Sequence, residues 1–241
     1  MVKHKLYNPE EIYRNRAVMP DFRCFEEISG SMILCIVMLE DPTFAVHRGY
    51  DSVSMKLAVR NFFRRDHPLF GGSTITQQLV KNLYFTFERK VSRKIMELIL
   101  AARFEKRLTK KQILELYLNV IYYGNGQYGI HDAAMFYFGK TPKELTLNQS
   151  FFLASILPVV GRLNPLYHPE EFVEYRNKKA NRLSFIADEE TINEILRHGA
   201  DRLDEEFRPV ASEETDRYNA PGPMLNERFG IRGTNPLVIT P

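Results

Sequence analysis

The chain has no tryptophan, only two cysteines and no long hydrophobic run. Cys24 and Cys35 are too few for a disulfide framework, and neither has a metal-ligand neighbour in sequence. Both lie in or near apolar sequence and read as buried free thiols. The longest apolar run near the start, Met32 to Leu39, is far short of the roughly 20 residues that cross a bilayer. A secretory leader would need a basic lead and a small-residue cleavage site, and neither is seen. The chain as given therefore reads as soluble or peripherally attached. There is no internal repeat and no convincing β-alternation, which argues against β-rich and solenoid folds. Six scattered histidines make a histidine-built metal centre improbable.

What is present is an ordinary globular composition. The 241 residues are 44% hydrophobic and 26% charged, enough for a real core and unlike a disordered chain. The length favours one domain, or one domain with a tail. The formal net charge of +3 conceals a strong asymmetry. Residues 56–111 carry 14 Lys/Arg against 4 Asp/Glu, a net of +10, whereas 170–217 carry 8 against 14, a net of −6. The basic half calls for an anionic partner such as phosphate or acidic lipid. Nucleic acid is not expected, because the cluster lacks a recognisable binding module.

Helix signals run through most of the sequence, and the fold class is all-α. Asn8-Pro9-Glu10-Glu11 opens a short helix. A second helix covers Ile28 to Leu39 and stops before Pro42, with Glu40 at its C-terminal edge. Residues 53–65 read as an amphipathic helix, packed on the core or lying on an anionic bilayer. Ile75, Leu79 and Leu83 share one helical face, and Arg93 to Phe104 is a further helix expected to bury Ile95, Leu98 and Ala102. Thr109 to Gln112 is a capping box ahead of a helix over Gln112 to Leu118. Gly124, Gly126 and Gly129 break the run, His131 to Tyr137 resumes it, and Gly139 ends it. Two more helix starts follow at Thr141 and Thr146, the second leading into Phe151 to Leu157. Phe172 to Ile186 and Asp188 to Arg197 each read as a helix, and 209–241 is irregular.

Four segments carry a resemblance. They are Glu40 to Gly49, the string Gly71-Gly72-Ser73-Thr74-Ile75-Thr76-Gln77-Gln78-Leu79-Val80-Lys81-Asn82, Arg93-Lys94-Ile95-Met96-Glu97, and Tyr123 to Lys140. In this order and spacing they resemble four successive motifs of the peptidoglycan glycosyltransferases, a lysozyme-like family. Leu145 to Pro165 resembles a fifth motif more weakly. The resemblance implies a main helical lobe plus a small membrane-facing lobe over about residues 50–70. It also implies an N-terminal helical lead at 1–27, a glycosyltransferase domain at 28–186 and a helical to irregular tail at 187–241.

It further implies polymerisation of lipid II, in which a polyprenyl-diphosphate-linked glycan is joined to an acceptor 4-hydroxyl and undecaprenyl diphosphate leaves. An alcohol is a poor nucleophile, so a positioned carboxylate must take its proton, and Glu40 is the candidate base. Charge developing on the diphosphate needs fixed cations and donors. Lys81, Arg89, Arg93 and Lys94 are candidates for that role, with Gln78, Ser73 and Thr74 as substrate contacts. Glu97 lies one turn after Arg93 and orients it, or holds a divalent ion (Mg or Mn) against the diphosphate. His47 has no carboxylate or nucleophile at a useful spacing and reads as structural.

The implied partners are lipid II, an anionic membrane surface and cell-wall synthases, at the outer face of the bacterial cytoplasmic membrane. Relatives of this kind carry an N-terminal transmembrane anchor, so a trimmed chain or reversible attachment through Met55 to Phe70 is expected. Departures from the pattern occur at Ala45, Val46, Gln149 and Val159 to Gly161. They leave open a catalytically impaired protein that keeps the cleft and binds lipid-linked glycan or an envelope-assembly partner. A glycan hydrolase would have no use for the basic cluster between Lys81 and Lys94.

Overall fold

A computed structural model describes residues 8–51, 73–85 and 91–198. Among these residues the secondary structure is helical apart from one isolated antiparallel bridge, Tyr122 to Tyr128, so the all-α expectation holds. The segments expected to form the 53–65 helix, the small lobe and the irregular end at 209–241 lie outside the described residues. The described chain falls into two compact units, one with residues 8–22, 43–51, 73–85 and 91–121, the other with 23–42 and 122–198.

The first unit contains α1 (Pro9–Ala17), α3 (Ile75–Tyr84), α4 (Val91–Arg107) and α5 (Lys110–Val120). Each start except that of α4 is set by a side chain that satisfies an otherwise orphaned amide. Asn8 Oδ1 accepts from Glu10 N at 3.1 Å, Thr74 Oγ1 from Gln77 N at 3.2 Å and Thr109 Oγ1 from Gln112 N at 3.2 Å. Helix α3 packs on α4 and α5 and buries Ile75, Leu79 and Leu83, as their spacing predicts. Arg16 is almost wholly buried, paired with Asp21 at 2.6 and 2.8 Å and donating to the Asn119 carbonyl at 3.1 Å, so its charge is compensated inside the unit.

Helix α4 corrects one expectation. Ile95 is 54% exposed, Ala102 is exposed and Leu98 is half-buried, while Glu97, Leu100, Ala101, Phe104 and the following Leu108 form the core stripe. The helix is apolar on two sides, so periodicity alone permits two phases, and packing against α3 selects the one that carries Glu97 inward.

The second unit contains α2 (Gly30–Glu40), α6 (Ile130–Phe138), α7 (Leu147–Ile156), α8 (Pro169–Asn177) and α9 (Glu189–His198). Helix α2 packs on α7. Rings of Tyr137, Phe152 and Phe172 meet edge to face at centroid distances of 5.7 and 5.1 Å. Between α5 and α6 the chain turns through Gly124, Asn125 and Gly126, all at positive φ. Gly124 is required there on two counts, a φ of +85° and a built Cβ only 3.3 Å from the Tyr137 hydroxyl.

Two further expectations are revised here. Thr141 forms its capping box with Glu144, but only a 3-10 turn, Pro142–Glu144, follows, because Thr146 begins the next helix at once. The segment 172–186 is not one helix. Helix α8 ends at Asn177 and a 3-10 turn takes over at Ala180–Phe185. The buried positions Phe172, Arg176, Ala180 and Leu183 keep helical spacing across the break, which is why the sequence pattern looks continuous.

Candidate functional site

In the first unit the sequence-predicted residues gather where the N-terminus of α3 meets the first turns of α4. Lys94 Nζ donates to Ser73 Oγ at 2.9 Å, to Gln77 Oε1 at 2.8 Å and to Glu97 Oε2 at 3.2 Å. Arg93 Nε lies 3.2 Å from Glu97 Oε1. Glu97 is only 3% exposed, so its carboxylate is withdrawn from water and faced by a cation at each oxygen. The i, i+3 and i, i+4 spacing on one helix makes this possible. The Lys94 side chain remains 46% exposed and that of Arg93 21%, so positive charge still reaches the surface.

Gln77 is the residue that sequence reasoning passed over. It is 3% exposed, and its Nε2 donates to the Gly49 carbonyl at 2.9 Å while its Oε1 receives Lys94. Both ends of the amide are therefore fixed, and the ammonium is held in place. The available signal is the adjacent pair Gln77-Gln78, of which Gln77 is the member that meets Lys94. Gln78 is half-buried and accepts from the Tyr117 hydroxyl at 3.1 Å.

Thr74 is 3% exposed, caps α3 and donates to the Gly49 carbonyl at 3.0 Å, so its hydroxyl is engaged within the unit. Gly49 has a φ of +89°, and a Cβ there would come within 3.1 Å of the Ala101 backbone, which explains why glycine anchors this loop to α4. His47 Nδ1 accepts from Gly49 N at 3.1 Å, a structural contact as expected. Lys81 stands half-buried on α3. Arg89 lies outside the described residues.

Glu40 belongs to the second unit, as the last residue of α2, and is half-buried. The Arg182 guanidinium donates to the Leu39 carbonyl at 2.6 Å, covering one of the helix's terminal carbonyls. Lys179 Nζ sits 4.8 Å from the centre of the Tyr175 ring. The Glu40 charge is felt by three neighbours. Burial first, and Glu40 second, push the Tyr175 phenol up to about 12, and the same two causes push Tyr123 up. Burial lowers the Lys179 ammonium, and Glu40 acts against that shift.

Among the described residues no group of three or more His, Cys, Asp or Glu could hold a metal ion. Arg93 and Lys94 already occupy both Glu97 oxygens with positive charge.

The described helices carry a buried glutamate faced by two cations in one unit and a glutamate at the end of α2 in the other, within an all-α protein. The sequence model of the family described as Transglycosylase matches residues 9–184, and the chain belongs to that family. It is 43% identical over 158 residues to Penicillin-binding protein 1A of Aquifex aeolicus, covering 66% of this chain and 22% of that protein. Penicillin-binding protein 1A of Pseudomonas aeruginosa is 34% identical over 248 residues, covering 87% and 30%. The Biosynthetic peptidoglycan transglycosylase of Alcanivorax borkumensis is 37% identical over 176 residues, covering 70% and 71%. The chain thus spans less than a third of either penicillin-binding protein. Among the described residues no helix is long and apolar enough to cross a membrane.

Proposed function

We propose that this chain is a peptidoglycan glycosyltransferase that polymerises lipid II into glycan strands at the outer face of the bacterial cytoplasmic membrane. Membership of the transglycosylase family supports the reaction class. The observation that carries the site is the buried Glu97 flanked by Arg93 and Lys94. In the reaction, the acceptor 4-hydroxyl gives its proton to the Glu40 carboxylate as its oxygen forms the new bond to the donor anomeric carbon. The bond from that carbon to the diphosphate oxygen breaks, and undecaprenyl diphosphate departs with the electron pair. Configuration inverts from α to β.

Since diphosphate is already a good leaving group, the protein must supply compensation for developing negative charge rather than a strong acid. Lys94 and Arg93, with Lys81 and Arg89, fill that role, and Glu97 fixes the first two in place. Ser73, Gln77 and Gln78 complete the polar lining. Lipid II and the polyprenyl-diphosphate-linked glycan are the substrates, an anionic membrane surface is the working platform, and cell-wall synthases are the expected partners. The reading of an inert, cleft-bearing protein loses one of its motives at Gln149. That side chain is 5% exposed, and its Oε1 accepts from Thr146 N at 3.0 Å as the third-position partner of Thr146 in the capping box of α7, a task glutamine performs as an acid does.

The test is polymerisation of labelled lipid II by the purified chain in detergent and lipid. Glu40→Gln is expected to abolish strand formation, since removal of a positioned base commonly costs about 10²- to 10⁴-fold. Glu97→Gln is expected to lower kcat more than it raises KM. Wild-type protein that stays inert under these conditions, or Glu40→Gln that polymerises at the wild-type rate, refutes the proposal.

A further inference from the structure

A lysine ammonium has three N–H donors, and Lys94 has an acceptor for each of them. Ser73 Oγ accepts at 2.9 Å, Gln77 Oε1 at 2.8 Å and Glu97 Oε2 at 3.2 Å. The charged head rides on a flexible four-carbon stem and has no direction of its own, so the acceptors around it decide where it stands. Ser73 is half-buried, whereas Gln77 and Glu97 are each 3% exposed and hold the ammonium from the inner side.

The sense of the Gln77 amide is decided by the Gly49 carbonyl. A carbonyl oxygen only accepts, so Gln77 must turn its NH2 group to Gly49, which it does at 2.9 Å, and its oxygen to Lys94. The reversed amide would set N–H groups against an ammonium and oxygen against oxygen. Gly49 is itself held in place. Its carbonyl also takes the Thr74 hydroxyl at 3.0 Å, and its N–H donates to His47 Nδ1 at 3.1 Å. A line of contacts therefore runs from the loop at 43–49 through Gln77 to the ammonium, all within the first unit.

We propose that Gln77 is a positioning residue that fixes where the Lys94 ammonium stands, with the Gly49 carbonyl setting the sense of its amide. This inference rests on the reading of Lys94 as a cation that compensates charge on the departing diphosphate. At 3% exposure Gln77 meets substrate only through Lys94. Glu97 does not replace it as an anchor, because its other oxygen is already faced by Arg93 at 3.2 Å and its attraction alone does not fix the angle of the ammonium. A fixed charge helps a transition state only where it stands in place before the reaction begins. Loss of the anchor therefore falls on kcat rather than on KM.

The experiment is a double-mutant cycle on lipid II polymerisation by the full chain, with kcat and KM measured for the wild type, Gln77→Met, Lys94→Met and the double variant. Gln77→Met keeps the length of the side chain and removes both polar ends, while the Gly49 carbonyl keeps Thr74 as a donor. It is expected to lower kcat by about 10- to 100-fold, the scale of loss that a displaced group produces, with KM changed by less than about twofold. In the Lys94→Met background the same change is expected to cost nothing further, because its effect passes through the ammonium. Gln77→Asn, whose amide is one methylene too short to reach both Gly49 and Lys94, takes its place in the cycle where Gln77→Met does not fold. A merely structural glutamine would lower activity by the same factor in either background. Losses that multiply in the double variant therefore overturn the inference, and so does a Gln77 variant with the wild-type kcat. Lys94→Met separates the two levels. If it loses activity while the Gln77 variant keeps it, only the role of Gln77 falls, whereas if Lys94→Met polymerises at the wild-type rate the reading of Lys94 itself falls.

Discussion

Individual residues here are decided by burial as much as by identity. Glu97, Arg93 and Lys94 are charged residues on one helix, and only the placement of Glu97 at 3% exposure turns a weak surface pair into a fixed cationic site. Cys35 shows the same principle with a neutral group. It is a fully buried free thiol, whereas Cys24 is half-exposed. Burial pushes the Cys35 thiol up to about 12 from an ordinary 9.0. Below pH 9 the thiol keeps its proton in both folded and unfolded chains and contributes no pH dependence. Between about 9 and 12 the unfolded chain releases a proton that the folded chain retains, so stability falls as pH rises, at most by about 1.4 kcal/mol per pH unit. Denaturant titrations at several alkaline pH values are expected to show this decline in the wild type. The decline should be shallower in Cys35→Ala, and equal slopes would contradict the assignment.

At the scale of elements, starts were more legible than extents. Asn8, Thr109 and Thr146 are read correctly as helix starts because a cap needs only one side chain and the next three residues. The capping box of α7 is the clearest case, with Thr146 and Gln149 satisfying each other's backbone amides at 3.0 and 3.3 Å. Thr146→Ala is expected to cost about 1 kcal/mol by urea denaturation, with the loss seen in the midpoint rather than in the slope. An unchanged midpoint would show that the box contributes nothing. The inward face of α4 and the break between α8 and the 180–185 turn were not legible. Ile95 and Ile99 offer a second apolar stripe on α4, and the buried spacing from Phe172 to Leu183 continues through a change of helix type. In both cases the local pattern is compatible with two structures, and distant packing chooses one.

For the whole molecule the asymmetry of charge is the dominant property. The net of +10 over residues 56–111 and the net of −6 over 170–217 belong to the sequence and do not depend on how the chain folds. A basic stretch of this density is expected to draw the chain to anionic bilayers and to lose hold as salt screens it. Co-sedimentation with vesicles containing an anionic lipid should exceed that with neutral vesicles and should fall between low and physiological salt. Equal binding to both vesicle types, or binding indifferent to salt, would show that apolar insertion governs attachment.

The sequence by itself determined the helical class, most helix starts, the charge asymmetry and the motif residues Glu40, Arg93, Lys94 and Glu97, because these depend on short-range spacing and composition. Tertiary structure alone decided that Gln77 locks Lys94, that Glu97 is buried, and that Arg182 reaches the end of α2. Those facts join residues far apart in the chain, up to 143 positions for Arg182 and Leu39. Local periodicity carries no information on pairings of that length, and only the packing of one helix on another brings the charges to where they act.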